Sequence, residues 1–581
     1  MNIKLNDLGL SIPILSTNAK LSIKPETDAF LGWKDRLIIT DTGKTAKEVY
    51  DVLINLNHSP CTPIKRFNLL EILNPVLQQI CITLSKHFLQ QNNELNAQQK
   101  SVAKLTKTLQ TEQANGYKLV LNDFIEQKLP LTNEKNTAIL VQTINRCLQN
   151  FANIIFRLYA LYASPPPGMW KEIHTLYKIS KKLNILNITP NQTHVSKTHP
   201  QTILDNYLYI LVVAATDPYQ IRTKDQETLF KASLSWIKKI QLITMNNKPQ
   251  NLNSIYLIDP KLDIPLMPLS ASVIPENSAY LTLNVSALTK HIQSILQELE
   301  TNELKTRIQH ENDAEYNISM QSLKILVKGW SNTKVRNTNR FKLKMNMHIC
   351  VGLSAVYYFL NNQTEFATDT QYADTLMGID TDKPKSSDKY KVFPCSVNNL
   401  SPLGLSILLN ETNHPTIKTG EIIGMQFAQE TSKNSWSIGT VRWLRYESDH
   451  FKIGVELLAA NATTASIQLL RNEQPSGQYL RCLILSKLSN EKLGKSIVTP
   501  TMPFKSTNAV TIKFDDTSTT TTLGTELNST GNFKQFSITL NTQSLNDKLQ
   551  QQTELLTQVT TQDQKPDENN TSEFGNLWDK L

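Results

Sequence analysis

Apolar residues return every three or four positions through much of the first 245 residues. TAKEVYDVLINLN, FNLLEILNPVLQQICITLSKHFLQQ and TAILVQTINRCLQNFANIIFRLYALYA all carry this spacing, which gathers the apolar side chains on one stripe of a helix. The pattern predicts helices from about 45 to 245, within a mainly α-helical N-terminal region over 1–250. SPPPGMW, Ser164–Trp170, ends one helix and opens the next, because proline breaks a helix interior but is tolerated in a first turn. The stretch from Thr202 reads as two helices joined at Asp217-Pro218. WKEIHTLY, Trp170–Tyr177, matches half of a helical-repeat consensus, with His174 where that consensus has glycine. No recurrence at the period of such a repeat accompanies it, so it reads as an amphipathic helix with Trp170, Ile173 and Tyr177 towards a core.

After about 250 the period changes. Residues 251–320 form a mixed connecting segment, with SIYLIDP and AYLTLNV as short strands and SALTKHIQSILQELETNELK as a closing helix. A β-rich block is expected over 321–460. FKLKMNMHICVGL alternates apolar and polar residues from Phe341, the signature of a half-buried strand. SAVYYFLNNQ reads as a short helix. The polar, mostly acidic run over 365–389 reads as a flexible insertion. KYKVFPCSVNNLSPLGLSILL, EIIGMQFA, WSIGTVRWLRYE and FKIGVELL come next as strands separated by turn residues, which predicts a small antiparallel barrel. A second β-rich region is expected over 477–541. The tail, 542–581, is rich in Gln, Thr, Asn and Asp and reads as disordered, with FGNLWDKL as a short terminal helix. The fold class is therefore multidomain α+β.

Composition narrows the function. A chain of 581 residues is too long for one ordinary domain. Lys and Arg exceed Asp and Glu by 60 to 51, an excess that suits an anionic partner without requiring one. The six cysteines are scattered, with no CxxC pair, and read as reduced thiols. The N-terminus has no long apolar core of a signal peptide. The longest apolar run, YLYILVVAA from Tyr207, covers about half a membrane span and reads as a buried helix. The expectation is a soluble cytoplasmic protein without a membrane span. No phosphate-binding GxxxxGK[ST], GxSxG, HExxH or strand-borne GxGxxG occurs, and no acid–base pair stands out, so catalysis is not expected. His194 and His199 lack nearby partners for a ligand set. His348 and Cys350, two apart on one strand, share a face. Neither pair calls for a metal, and no cofactor is expected.

Two stretches carry candidate chemistry. Arginine is scarce in this lysine-rich chain, yet VRNTNRFK sets Arg336 and Arg340 four apart just before the first barrel strand. A guanidinium fork can grip a phosphate through two hydrogen bonds, bond the O6/N7 edge of guanine, or stack on a purine. In FPCSVNNLSPLGLSILL, Asn399 and Ser401 are two apart and share one face of a strand end. An amide carbonyl and a hydroxyl there can accept from the N–H groups of guanine. Gly404 allows a turn with positive φ, or close approach by a ligand. The same stretch also reads as a plain turn, and NTSEFG, Asn570–Gly575, repeats its N-x-S-x-x-G pattern in the tail without flanking strands. Strand alternation puts Trp443 and Arg442 of GTVRW on opposite faces.

Taken in order, RxxxR, NxSxxG, GTVRW (Gly439–Trp443) and IGVELL (Ile453–Leu458) resemble the PilZ domain, over about 330–460. That family is a small β-barrel receptor for the bacterial second messenger cyclic di-GMP. The resemblance implies that Arg336 and Arg340 hold guanine and phosphate, and that Asn399, Ser401 and Gly404 hold a guanine from the barrel side. Two departures stand out: the acidic insertion between the motifs, and Val335 before the first arginine, where relatives that take a stacked ligand pair often have arginine. Val335 favours one ligand molecule per site. The expected function is that of a cytoplasmic cyclic di-GMP effector that turns ligand binding into altered contacts with effector proteins, with no nucleic-acid polymer as partner. The competing reading is a ligand-independent scaffold on a degenerate barrel.

Overall fold

The computed structural model describes residues 9–16, 21–38, 40–89, 95–190, 200–246, 252–269, 280–331, 341, 345–366, 389–410, 414–428, 436–447, 450–485, 495–514 and 517–539. Outside them lie Arg336 and Arg340, His194 and His199, residues 367–388 of the expected insertion, and the whole expected tail with its Asn570–Gly575 copy. The chain divides into two compact units, Met1–Asn337 and Thr338–Leu581.

The first unit is mostly helical: α1 (Thr27–Lys34), α2 (Thr42–His58), α3 (Pro63–Ser85), α4 (Ala97–Glu126), α5 (Glu134–Ala160), α6 (Met169–Lys182), α7 (Ile203–Ala215) and α8 (Thr223–Trp236). α3 is long and apolar enough to cross a membrane. In this unit it is a core helix, with Leu69, Leu70, Leu73, Leu77 and Cys81 fully buried and α2, α4 and α5 packed against it. Its buried Arg66 donates to the carbonyls of Leu56 at 2.5 Å and Ser59 at 2.8 Å. That satisfies part of a charge that burial would otherwise leave costly. The helix with the repeat-like sequence, α6, is likewise core. Trp170, Ile173, His174 and Tyr177 are all buried. The two ring nitrogens of His174 meet the Tyr207 hydroxyl and the Ile264 carbonyl, each at 2.8 Å, and burial lowers its pKa towards the neutral imidazole. The joint at Asp217 is real: this residue has φ 48° and precedes a 3-10 turn at Pro218–Gln220.

Two expectations need correction here. Gln241–Met245 is not the end of a helix but strand β1, which pairs with β4 (Tyr280–Asn284) in a four-stranded sheet of order β1-β4-β2-β3. β2 is Ile255–Ile258 and β3 is Met267–Pro268. The helical period stops at Trp236, and the short QLITM run is too brief for its alternation to stand out. Likewise the β-rich block expected from 321 begins with a helix. After α9 (Ser286–Gln309), residues Met320–Ser331 form α10. Leu323, Leu326 and Trp330, spaced three and four, are buried on it, and the Trp330 indole N–H donates to the Ala215 carbonyl at 2.8 Å.

The second unit opens with a closed six-stranded barrel. Its strands are β5 (Met345–Val351), β6 (Phe393–Ser401), β7 (Gly404–Asn410), β8 (Ile422–Phe427), β9 (Ser437–Tyr446) and β10 (His450–Ala459), with α11 (Leu353–Leu360) between β5 and β6. The order around the barrel is β10-β7-β6-β5-β8-β9, with every pairing antiparallel. Alternation builds the interior. Leu405, Ile407 and Leu409 of β7 are buried and face Val455, Ile453 and Phe451 of β10 in register. The intervening Gly404, Ser406, Leu408 and Asn410 therefore turn outward.

The remaining strands form a seven-stranded sheet of order β15-β14-β11-β12-β13-β17-β16. They are β11 (Ala462–Arg471), β12 (Gln474–Leu485), β13 (Ser496–Thr499), β14 (Ala509–Phe514), β15 (Thr517–Thr522), β16 (Glu526–Ser529) and β17 (Lys534–Ser537). Sequence reading did not find β11. It is joined to β12 by a two-residue turn in which Asn472 and Glu473 have φ of 48° and 65°. Such a turn suits a hairpin, but it normally announces itself through Asn-Gly or Asp-Gly.

One outer face of the barrel is covered. Cys350, Ile422 and Ile438 of β5, β8 and β9 share an apolar cluster with Val356 and Tyr357 of α11. Leu483, Leu485, Val498 and Phe533 of the C-terminal sheet and its loops complete that cluster. A hydrogen bond from the Asn532 amide to Glu421 Oε2, 2.9 Å, ties the two parts at its edge. Burial pushes the Cys350 thiol up to about 12. The other outer face, on β6, β7 and β10, has no such cover among the described residues.

Candidate functional site

The uncovered face is built around the β6–β7 hairpin. Its strands close at Ser401↔Gly404 over the two-residue loop Pro402-Leu403, and the Ser401 hydroxyl donates to the Gly404 carbonyl at 2.8 Å. This leaves the hydroxyl oxygen its acceptor lone pairs. Gly404 is not among the glycines with positive φ. Its requirement is space: a Cβ there would lie 2.2 Å from the Val455 carbonyl oxygen of β10. Close approach of the neighbouring strand, rather than turn geometry, explains the glycine.

Asn399 and Ser401 share one face. Asn399 pairs with Ser406 and Ser401 with Gly404, two alternate outward positions of β7. A register shift between Val397 and Asn399 leaves Asn398 as an extra residue in β6, and such a bulge re-aims the side chains beyond it. Two rows of neighbours then cross the face. One runs Asn399, Ser406, Gly454, Trp443; the other runs Ser401, Gly404, Glu456.

The floor between these rows is made of small residues. Trp443 lies over Gly454, where a Cβ would come within 1.9 Å of the indole nitrogen. Ser406 is only 1% exposed, and its hydroxyl has no hydrogen-bond partner among the described residues. Arg442 forms an ion pair with Glu456 through Nε. This corrects the expectation that Arg442 and Trp443 occupy opposite faces. Gly454 faces Trp443 while Val455 faces Val441, so Arg442 is the extra residue of a second bulge. Gly454 and Glu456, two apart on β10, both look outward, and Trp443 and Arg442 meet them there.

One described residue that follows the arginine motif in sequence joins the same hairpin. Phe341, the residue after Arg340, makes an antiparallel bridge with Leu400. Its N–H donates to the Leu400 carbonyl and its carbonyl accepts from the Leu400 N–H, both at 3.0 Å. Leu400 lies between Asn399 and Ser401. Phe341 itself is 63% exposed, so the bridge rather than burial seats it. Among the expected site residues, Asn399, Ser401 and Gly404 are thus together on one outer surface, while Arg336 and Arg340 lie outside the described residues. Sequence reading missed Ser406 and Gly454. Alternation from Gly404 could have put Ser406 on the same face, but its place between Asn399 and Gly454 depends on strand pairings that no local pattern carries.

The family model described as the middle PilZ domain of the cyclic-di-GMP receptor FimW matches residues 255–381 and 368–464. The chain is a PilZ-domain protein. Two further family models flank the PilZ domain: the N-terminal domain of the receptor FimW over 28–248 and the FimW C-terminal beta-barrel domain over 465–541. The cyclic-di-GMP receptor FimW of Pseudomonas aeruginosa is 24% identical over 557 residues, which cover 87% of this chain and 89% of that receptor. The likeness therefore runs through all three parts and is not confined to the PilZ barrel.

Proposed function

We propose that this protein is a non-catalytic bacterial effector that binds cyclic di-GMP on the uncovered face of its PilZ barrel and acts in the cytoplasm. The observation that carries this reading is the Phe341–Leu400 bridge. It fixes Phe341, the residue after Arg340 in sequence, to Leu400, the residue between Asn399 and Ser401. In this reading Arg336 and Arg340 grip guanine and phosphate with their planar forks. Asn399 and Ser401 accept from guanine N–H groups, and Gly404 keeps the β7 edge low. The excess of basic residues, 60 against 51 acidic, suits a dianionic ligand. The names of the N-terminal and middle-domain family models and of the Pseudomonas receptor add support, since each is called a cyclic-di-GMP receptor.

Ligand binding then orders the Arg336–Arg340 segment against the barrel. The signal passes on as a population shift that alters contacts with effector proteins. Isothermal calorimetry of the full chain with cyclic di-GMP tests the proposal. A bidentate base contact is worth about 1–3 kcal/mol, so Arg336→Ala and Arg340→Ala should each weaken binding about tenfold to a hundredfold. Absence of binding by the unaltered protein would instead favour a ligand-independent scaffold, and undiminished binding by both variants would remove the arginines from the site.

A further inference from the structure

The outward face of the β6–β7 hairpin continues beyond Asn399 and Ser406. The next outward pair is Ser396 and Leu408, and beside them lies a cavity of about 390 Å³. Asn346, His348, Pro394, Ser396, Leu408 and Asn410 line it. Asn346 pairs with Ser396, and His348 with Pro394, across β5 and β6, so the cavity spans the outward face of three strands. It starts one outward pair from the motif, on the order of 10 Å along β6 at about 3.3 Å per residue.

Its chemistry differs from that of the arginine motif. Among the described residues no lysine, arginine or carboxylate lines it, so this lining offers nothing to neutralise a phosphate. It offers two primary amides, a hydroxyl and an imidazole, which supply donors and acceptors in several directions. The proline, the leucine and the flat imidazole offer surface for the face of a ring. That combination fits a neutral, planar, hydrogen-bonding group. The volume is at the low end for sites that take small molecules, enough for a base and its sugar. Cyclic di-GMP carries two guanines, and the Asn399–Ser401 acceptors engage one.

We infer that this cavity is a second guanine subsite, with His348 as the stacking surface and Asn346, Ser396 and Asn410 at the base edge. The inference rests on the proposed function and extends it to residues outside both sequence motifs. It also gives His348 a role distinct from that of Cys350, two residues along β5, which is sealed beneath α11. The step from one residue to the other crosses from the open to the covered side of the barrel.

The test uses the full chain, cyclic di-GMP and four proteins side by side: unaltered, Arg340→Ala, His348→Ala and Ser396→Trp. Both cavity positions are partly exposed, and the melting temperature without ligand reports on folding. The inference predicts that His348→Ala weakens binding about tenfold, and that Ser396→Trp, which fills the cavity, does so at least as much. Both should melt like the unaltered protein, and the His348 ring-proton resonances should shift on titration. One ligand per chain would mean that both bases come from the same molecule, and two per chain that a stacked second molecule supplies the base; the guanine subsite stands in either case. Binding that is lost in Arg340→Ala but unchanged in His348→Ala and Ser396→Trp, with still His348 resonances, overturns the subsite and leaves the proposed function intact. No binding by the unaltered protein overturns the function itself.

Discussion

The barrel has two outer faces made from the same alternating pattern, and they differ in the residues that the pattern turns outward. On the covered side the outward positions of β5, β8 and β9 include Cys350, Ile422, Gly424 and Ile438. α11 and the C-terminal sheet cover them with Val356, Leu483 and Phe533. On β6, β7 and β10 the outward positions are Asn399, Ser401, Gly404, Ser406, Gly454 and Glu456. The first face buries apolar area and contributes stability. The second carries small and polar groups, with Asn399, Ser401, Gly404 and Glu456 partly exposed and Ser406 and Gly454 buried between them. A small barrel with few interior residues can leave one side open because the other side is buttressed.

The comparison can be broken by mutation, and the largest effect belongs to the covered face. Phe533 is fully buried there, and Phe533→Ala should destabilise the second unit by about 3–5 kcal/mol, read from urea unfolding. Cyclic di-GMP affinity of the folded fraction should stay within twofold; a large loss would mean that the two faces do not act separately. The arginine variants come next, at about tenfold to a hundredfold in affinity, with unchanged unfolding. Gly454→Ala gives the smallest expected effect. The added methyl must push the Trp443 indole aside, because a Cβ there would lie 1.9 Å from its nitrogen. A shift in tryptophan fluorescence and a few-fold change in affinity are expected. An unaltered spectrum would show that the indole does not rest on Gly454 in solution.

Much of this was legible in the sequence, for identifiable reasons. Long stripes at helical spacing gave the N-terminal helices, and the break at Asp217-Pro218 came from proline chemistry. Alternation gave the barrel strands, and the order of motifs gave their family. Short elements were lost. QLITM is too brief to declare a period, and the Asn472-Glu473 turn lacks the glycine that marks a tight hairpin. α10 was absorbed into the neighbouring β-rich block although Leu323, Leu326 and Trp330 carry helical spacing. In the site, Asn399 and Ser401 could be placed on one face from their separation alone. The bulge that turns both Arg442 and Trp443 outward could not, because a bulge is a property of two paired strands. At Gly404 the local sequence suggests turn geometry, whereas the constraint there is the Val455 carbonyl on a strand some fifty residues later in the chain.

Hydrogen–deuterium exchange of the full chain, with and without saturating cyclic di-GMP, tests the central claim most directly because it reads both faces at once. The account predicts slowed exchange in peptides covering 336–341 and 398–406. Peptides covering α11, β12 and β13 should exchange at the same rate in both states. Protection confined to the covered face or to the helical unit, with none at the β6–β7 hairpin, would contradict it.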